Sequence, residues 1–325
     1  MSENTYLSLS ARLFCYLGPL STIALTAFAS PKTALLSPLA FVHTGYLYKK
    51  WYDANRAEPS RRGKLEPMVW TFATAGTLGL EAMAVIQAAV GYAICTLIFG
   101  NGETRSYFLE EVGRSSIAGL TDDELAHRAE LAWSWKNWIL YGLTCFGLAG
   151  FLEEALKYSP IAWARRRRLK DDSKLRNRAY LDYALSSALS FGLVEGIGFL
   201  YASCVHGEEN GSKLALTIFE RLMLGSSGHL LMAALTALRA IRRDYYGEKY
   251  MSWWSVVGPS IVLHGAYDFG AMIFSASEGH VGWIHPTSTR KTIMMLLMAF
   301  GFLFTEMMLV RRELRILKDR DRQQQ

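Results

Sequence analysis

The apolar residues of this chain are gathered into long blocks, and that grouping limits its possible folds more than any other feature. The blocks run over 13–30, 33–48, 69–99, 138–158, 180–204, 214–238, 253–275 and 292–310. A helix of about 20 apolar residues crosses the ~30 Å of hydrocarbon in a bilayer. Hydrocarbon offers no partner to a backbone N–H or C=O, so such blocks must be helical. The expected fold is therefore all-α: a polytopic membrane helix bundle of about eight transmembrane helices. The first two blocks are short and separated by Ser30-Pro31-Lys32, which makes them a tight hairpin or one reentrant pair. The block over 69–99 is longer than a bilayer needs and must tilt, kink or project.

Charge falls between the blocks in alternation. Loops 49–66, 159–179 and 239–252 and the tail from Arg311 are basic, whereas loops 100–137 and 205–213 are acidic. Basic residues concentrate on the cytosolic side of membrane proteins, so both termini are expected in the cytosol. Tags inserted at residue 115 and within 165–178 should then report opposite faces of intact vesicles; labelling of both from one face would overturn this topology. The net charge of +6 is spread over membrane-flanking loops, and the Arg165–Arg168 run reads as an anchor to lipid headgroups. No nucleic-acid partner is expected. Cys15, Cys95, Cys145 and Cys204 all lie inside apolar blocks without metal-knuckle or disulfide spacing. Met1–Arg12 lacks a basic leader and a cleavage site, so the first block is expected to be retained.

An ionisable side chain inside a membrane span costs kilocalories unless it is paired or hydrated, and is a functional candidate by default. These residues concentrate in four consecutive blocks: Glu153, Glu154 and Lys157; Asp182 and Glu195; Glu220, Arg221 and His229; His264 and Asp268. With a 1.5 Å rise per residue, Glu154 lies ~16 Å from Arg165, His229 ~15 Å from Arg239 and His264 ~16 Å from Trp253. Three helices thus bring reactive groups to one depth, in a cavity expected to open toward the cytosolic half. Glu153 and Lys157 are spaced i,i+4 with the acid first, the better orientation for a pair, which would leave Glu154 free. Glu81 and Glu306 stand alone on their spans and are expected to be structural. Glu220 and Arg221 are expected as an interfacial pair, and His206, His280 and His285 as solvated loop residues.

Four motifs follow in order: EEALK at 153–157, FGLVE at 191–195, GHLLMA at 228–233 and HGAYD at 264–268. They match EExxK, FxxxE, an intramembrane histidine motif and HxxxD. In this the chain resembles the PrsW family of intramembrane proteases, relatives of the CAAX-protease and bacteriocin-processing group. The third motif is often FxxxH, and here Gly225 stands four residues before His229. The resemblance covers 138–275 and divides the chain into N-terminal spans with an outer acidic loop (1–137), a catalytic four-helix membrane core (138–275), and a last span with a basic cytosolic tail (276–325).

The resemblance implies a peptidase acting on membrane-protein substrates in the lipid bilayer. Its functional positions are Glu153, Glu154, His229, His264 and Asp268, supported by Lys157 and Glu195. Peptide hydrolysis needs a base for water, donors for the oxyanion and an acid for the leaving amine. The glutamates would activate water without a cofactor, with Glu154 favoured as the base, while the histidines and Asp268 complete the site. A zinc peptidase is the first alternative, with Glu154, His229, His264 and Asp268 as ligand types, although HExxH is absent. A proton-coupled transporter would use the same buried acids, but transporters often carry internal repeats and none is visible. A non-catalytic protein that binds membrane clients is the last alternative.

Overall fold

The computed structural model describes residues 7–55, 62–100, 102–114, 117, 119–168, 177–205 and 211–323. Every regular element among them is helical: α1 (Leu9–Ala29), α2 (Pro31–Asn55), α3 (Leu65–Phe99), α4 (Glu103–Gly113), α5 (Asp122–Trp133), α6 (Trp135–Arg167), α7 (Ala179–Val205), α8 (Gly211–Tyr245), α9 (Trp253–Ala276) and α10 (Thr289–Gln323). Seven of these are long and apolar enough to cross a membrane: α1, α3, α6, α7, α8, α9 and α10. The chain is an all-α, multi-pass membrane bundle. The expected count of eight is not established, because α2 falls outside that set.

The first two helices form the hairpin. Ser30 ends α1 in extended geometry, and its hydroxyl accepts the Thr33 N–H at 3.2 Å. It thereby caps α2, whose first residue is Pro31, where no N–H is needed. The long α3 is π-wound over Ala75–Gly79. Asp182, at the start of α7, binds Arg62 at 2.5 Å and accepts the Gly63 N–H at 2.5 Å. It fastens the entry to α3 and takes no part in the central cluster.

The acidic stretch 100–137 is not a loop. It folds into α4 and α5, the latter opened by a capping box between Thr121 and Glu124. Arg128, fully buried, pairs with Glu111 and donates to the Val281 carbonyl at 2.7 Å. The Gly282 N–H donates to the Tyr141 hydroxyl at 2.8 Å. These bonds clamp the connection between α9 and α10 onto the bundle. His280 and His285 are accordingly not solvated: His280 is buried, and His285 Nε2 lies 2.8 Å from Glu220 Oε2. Burial, then the Arg128 charge, hold His280 below the ordinary histidine range. His206 lies outside the described residues.

At the opposite end the expected tail is a continuation of α10. Glu313 accepts from Arg239 at 2.9 Å and from Arg242 at 2.6 Å, which ties α10 to α8. Apolar packing at that end centres on Tyr158, Ile161, Tyr180, Leu238 and Ile241, and at the other on Phe99, Phe108, Tyr141 and Val281. The ionisable residues lie between the two.

Candidate active site

Close backbone approach sets the site. A Cβ on Gly150 would lie 2.8 Å from the Ile261 carbonyl, and one on Gly265 would lie 2.4 Å from Phe146 Cδ1. Only glycine permits α6 and α9 to meet this closely, and the contact brings Glu153 and Glu154 against His264. On the other side Gly192 of α7 faces Ser226 of α8, where a Cβ would come within 3.1 Å of the Ser226 hydroxyl. Three residues further along both helices, Glu195 meets His229. The approach to Glu153 is π-wound over Leu143–Glu153, and that to His229 over Ile218–Gly225. Such winding often accompanies functional sites, because it displaces side chains from regular helical register.

Lys157 joins the two halves. Its Nζ donates to Glu154 Oε1 at 2.6 Å and to His229 Nδ1 at 2.7 Å, whereas Glu153 Oε2 is 3.9 Å away. The expected pairing is thus reversed: the close partner is Glu154. The reason is the third helix, since the bond to His229 directs the ammonium toward the i,i+3 acid. An ammonium has only donors, so His229 Nδ1 accepts, and the Nε2–H donates to Glu195 Oε2 at 2.8 Å. Lys157 also lies over the Phe191 ring, 4.9 Å from its centroid.

His264 is placed differently. Its Nδ1 faces Glu154 Oε1 at 3.0 Å, and its Nε2 faces Glu153 Oε2 at 3.4 Å and Asp268 Oδ2 at 3.5 Å. Both nitrogens therefore look at carboxylates, Nδ1 within hydrogen-bond distance and Nε2 at ion-pair distance only. Glu153 Oε2 is buried and makes no hydrogen bond.

Residues 108–305 match the family described as PrsW family intramembrane metalloprotease. The chain belongs to the PrsW family. It is an intramembrane protease by family, which implies membrane-protein substrates in the bilayer. No curated protein and no solved structure matches the chain.

The family's description implies a metal, and the PrsW site offers donors for one. One ligand atom each from Glu153, His229 and His264 lies within 4.8 Å of the others, and two histidines with a glutamate are a set that zinc uses in peptidases. The orphaned Glu153 Oε2 fits a ligand role. This set differs from the expected one, with Glu153 replacing Glu154 and Asp268 lying beside it. The bond from His264 Nδ1 to Glu154 has the form of the carboxylate that orients a ligating histidine.

The five candidate residues do not share one cavity. Glu153, Glu195 and Asp268 line a cavity of about 340 Å³ that also touches Gln87, Arg221 and Trp283. It extends toward the end of the bundle that carries α4, α5 and the α9–α10 connection. That is the end opposite Arg165–Arg167, whereas the expected opening is toward this basic end. Lys157, Glu154 and His229 close the other direction, backed by Tyr158 and Ile161. His229 and His264 line an adjoining space of about 40 Å³ together with Glu306, and Glu195, Arg221 and Asp268 border both spaces. Glu306 is buried with Oε2 unpartnered; far from being isolated, it forms a wall of the site. Gln87 of α3 donates to the Leu148 carbonyl at 3.3 Å and reaches Glu153 Oε1 at 3.5 Å. Its amide carries no charge, so a search for ionisable residues passes over it. Glu81 is exposed and outside the cluster. Glu220 and Arg221 do not pair; adjacent helical residues point in different directions.

Proposed function

We propose that this protease hydrolyses peptide bonds with water activated by the Glu153 carboxylate. The observation that carries the reading is the contrast between the two acids: each keeps one oxygen free of hydrogen bonds, but Glu154 is closed in by Lys157 and His264, whereas Glu153 lines the wide cavity. Glu153 would take the proton of the attacking water, and the His264 Nε2–H would donate to the oxyanion as the carbonyl carbon becomes tetrahedral. The C–N bond then breaks, and the proton held by Glu153 passes to the leaving amine. Glu154 orients His264 from behind. Asp268 sits beside Nε2, on the cavity side. Lys157 and Glu195 fix His229 as a neutral ring between a donor and an acceptor. The test is cleavage of a membrane-spanning peptide by the purified chain in liposomes, wild type beside Glu153→Gln. Undiminished cleavage by the variant overturns the reading. Absence of cleavage by both favours the transporter or client-binding alternatives.

A zinc-dependent reading is favoured by the Glu153, His229 and His264 cluster and by the family's description. When bound, a metal there would polarise the substrate carbonyl and acidify water. Against it stands the ammonium of Lys157, 2.7 Å from one nitrogen of His229 while Glu195 holds the other. Dialysis against a strong chelator is therefore expected to leave cleavage unchanged. Loss of activity on dialysis, regained with zinc, together with stoichiometric zinc in the purified chain, reverses the choice.

A further inference from the structure

The wide cavity holds a cation that the proposed chemistry does not use. Arg221 of α8 is half-buried in its wall. The guanidinium carbon lies 3.7 Å from the centroid of the Phe199 ring and 5.5 Å from that of Trp283. Stacking on aromatic rings fixes the guanidinium plane and leaves its edge of N–H donors unused. The acids around it are engaged elsewhere. Glu220 is bound to His285 at 2.8 Å, Glu195 to His229 at 2.8 Å, and Asp268 faces His264 at 3.5 Å. Among the described residues Arg221 makes no hydrogen bond and no ion pair. A charged group withdrawn from bulk water needs a partner, and this one stacks on aromatic rings in a cavity where Glu220, Glu195 and Asp268 face histidines.

We propose that Arg221 is the recognition site for a carboxylate on the substrate, either an acidic side chain or a free C-terminus, in the segment that enters beside the α9–α10 connection. The inference rests on the peptidase reading above. A planar guanidinium edge takes a carboxylate through two parallel charge-assisted bonds. Such a clamp fixes the direction of a peptide lying along the cavity as well as its affinity, and it would hold the scissile bond against Glu153. Trp283 stands on the connection clamped by Arg128, so the recognition surface is assembled from parts distant in sequence.

The experiment uses peptides of one sequence in two pairs: Glu against Gln near the cleavage point, and a C-terminal acid against its amide. The wild type is expected to cleave one carboxylate form with a kcat/KM about 10- to 100-fold above its uncharged partner. The pair that shows the preference identifies the source. Arg221→Gln should bring the two rates of that pair together through loss on the carboxylate form, and Arg221→Lys should retain part of the preference. No preference in the wild type overturns the proposal. Equal loss on both forms, with the preference intact, also overturns it and reduces Arg221 to balancing Glu195 and Asp268. Binding of the same peptides to Glu153→Gln protein, with and without Arg221→Gln, reads recognition apart from catalysis. A carboxylate preference in binding that disappears with Arg221 supports the site even if the assignment of the base fails.

Discussion

Glutamine in place of Glu153 is expected to reduce cleavage of a membrane-spanning peptide by about 10²- to 10⁴-fold, the usual contribution of a general base. The loss should fall on kcat, since the carboxamide keeps the shape of the side chain and the hydrogen bond with Gln87. The fold should survive. Glu153 Oε2 makes no hydrogen bond to a cation, with His264 Nε2 3.4 Å and Lys157 Nζ 3.9 Å away, so thermal unfolding in detergent should shift little. Glu154→Gln should behave differently. It removes the close partner of a fully buried lysine, and stability should fall together with activity. Measuring both properties in both variants separates a base from a residue that holds the site together. A stable, inactive Glu154→Gln beside an active Glu153→Gln would return the assignment to Glu154.

Lys157→Met is expected to destabilise the bundle by about 3–5 kcal/mol, the penalty of breaking a buried pair and leaving the other charge uncompensated. Lys157 is 1 % exposed, and it is bonded to a fully buried Glu154 and to His229, which is 5 % exposed. Methionine fills a similar volume, so the effect reports the charge rather than a cavity. Combining it with Glu154→Gln should recover part of the loss, because both halves of the pair are then neutral. Unfolding in detergent micelles provides the measurement. A shift within about 1 kcal/mol for the single variant, the scale of an exposed pair, would show that water reaches the lysine. The activity of Lys157→Met should fall as well, because His229 and Glu154 lose their common anchor.

The sequence by itself determined the solvent of this protein and the helices that carry its chemistry. Hydrocarbon requires long apolar helices, so the blocks had to appear as spans. Charge inside a span is expensive, so the few places that carry it mark the site. Glu153, Glu154, Lys157, Glu195, His229, His264 and Asp268 were legible for that reason, and the structure places them on α6, α7, α8 and α9, in contact across the bundle. Spacing along one helix could not decide how they pair. The choice of Lys157 between two acids depends on His229, 72 residues away in the chain. Glu306 looked solitary because the groups it faces lie on other helices, and Gln87 carried no charge to draw notice. The acidic stretch 100–137 read as a loop by its polarity, yet it holds two helices joined by the Glu111–Arg128 pair, and Arg128 ties them to the α9–α10 connection. Which way the cavity runs was likewise a tertiary outcome. It follows from where Lys157 closes the space and where Trp283 and Arg221 leave it lined but unfilled. Depth in a membrane can be counted along a single helix, whereas partners and openings are set by side chains from several helices at once.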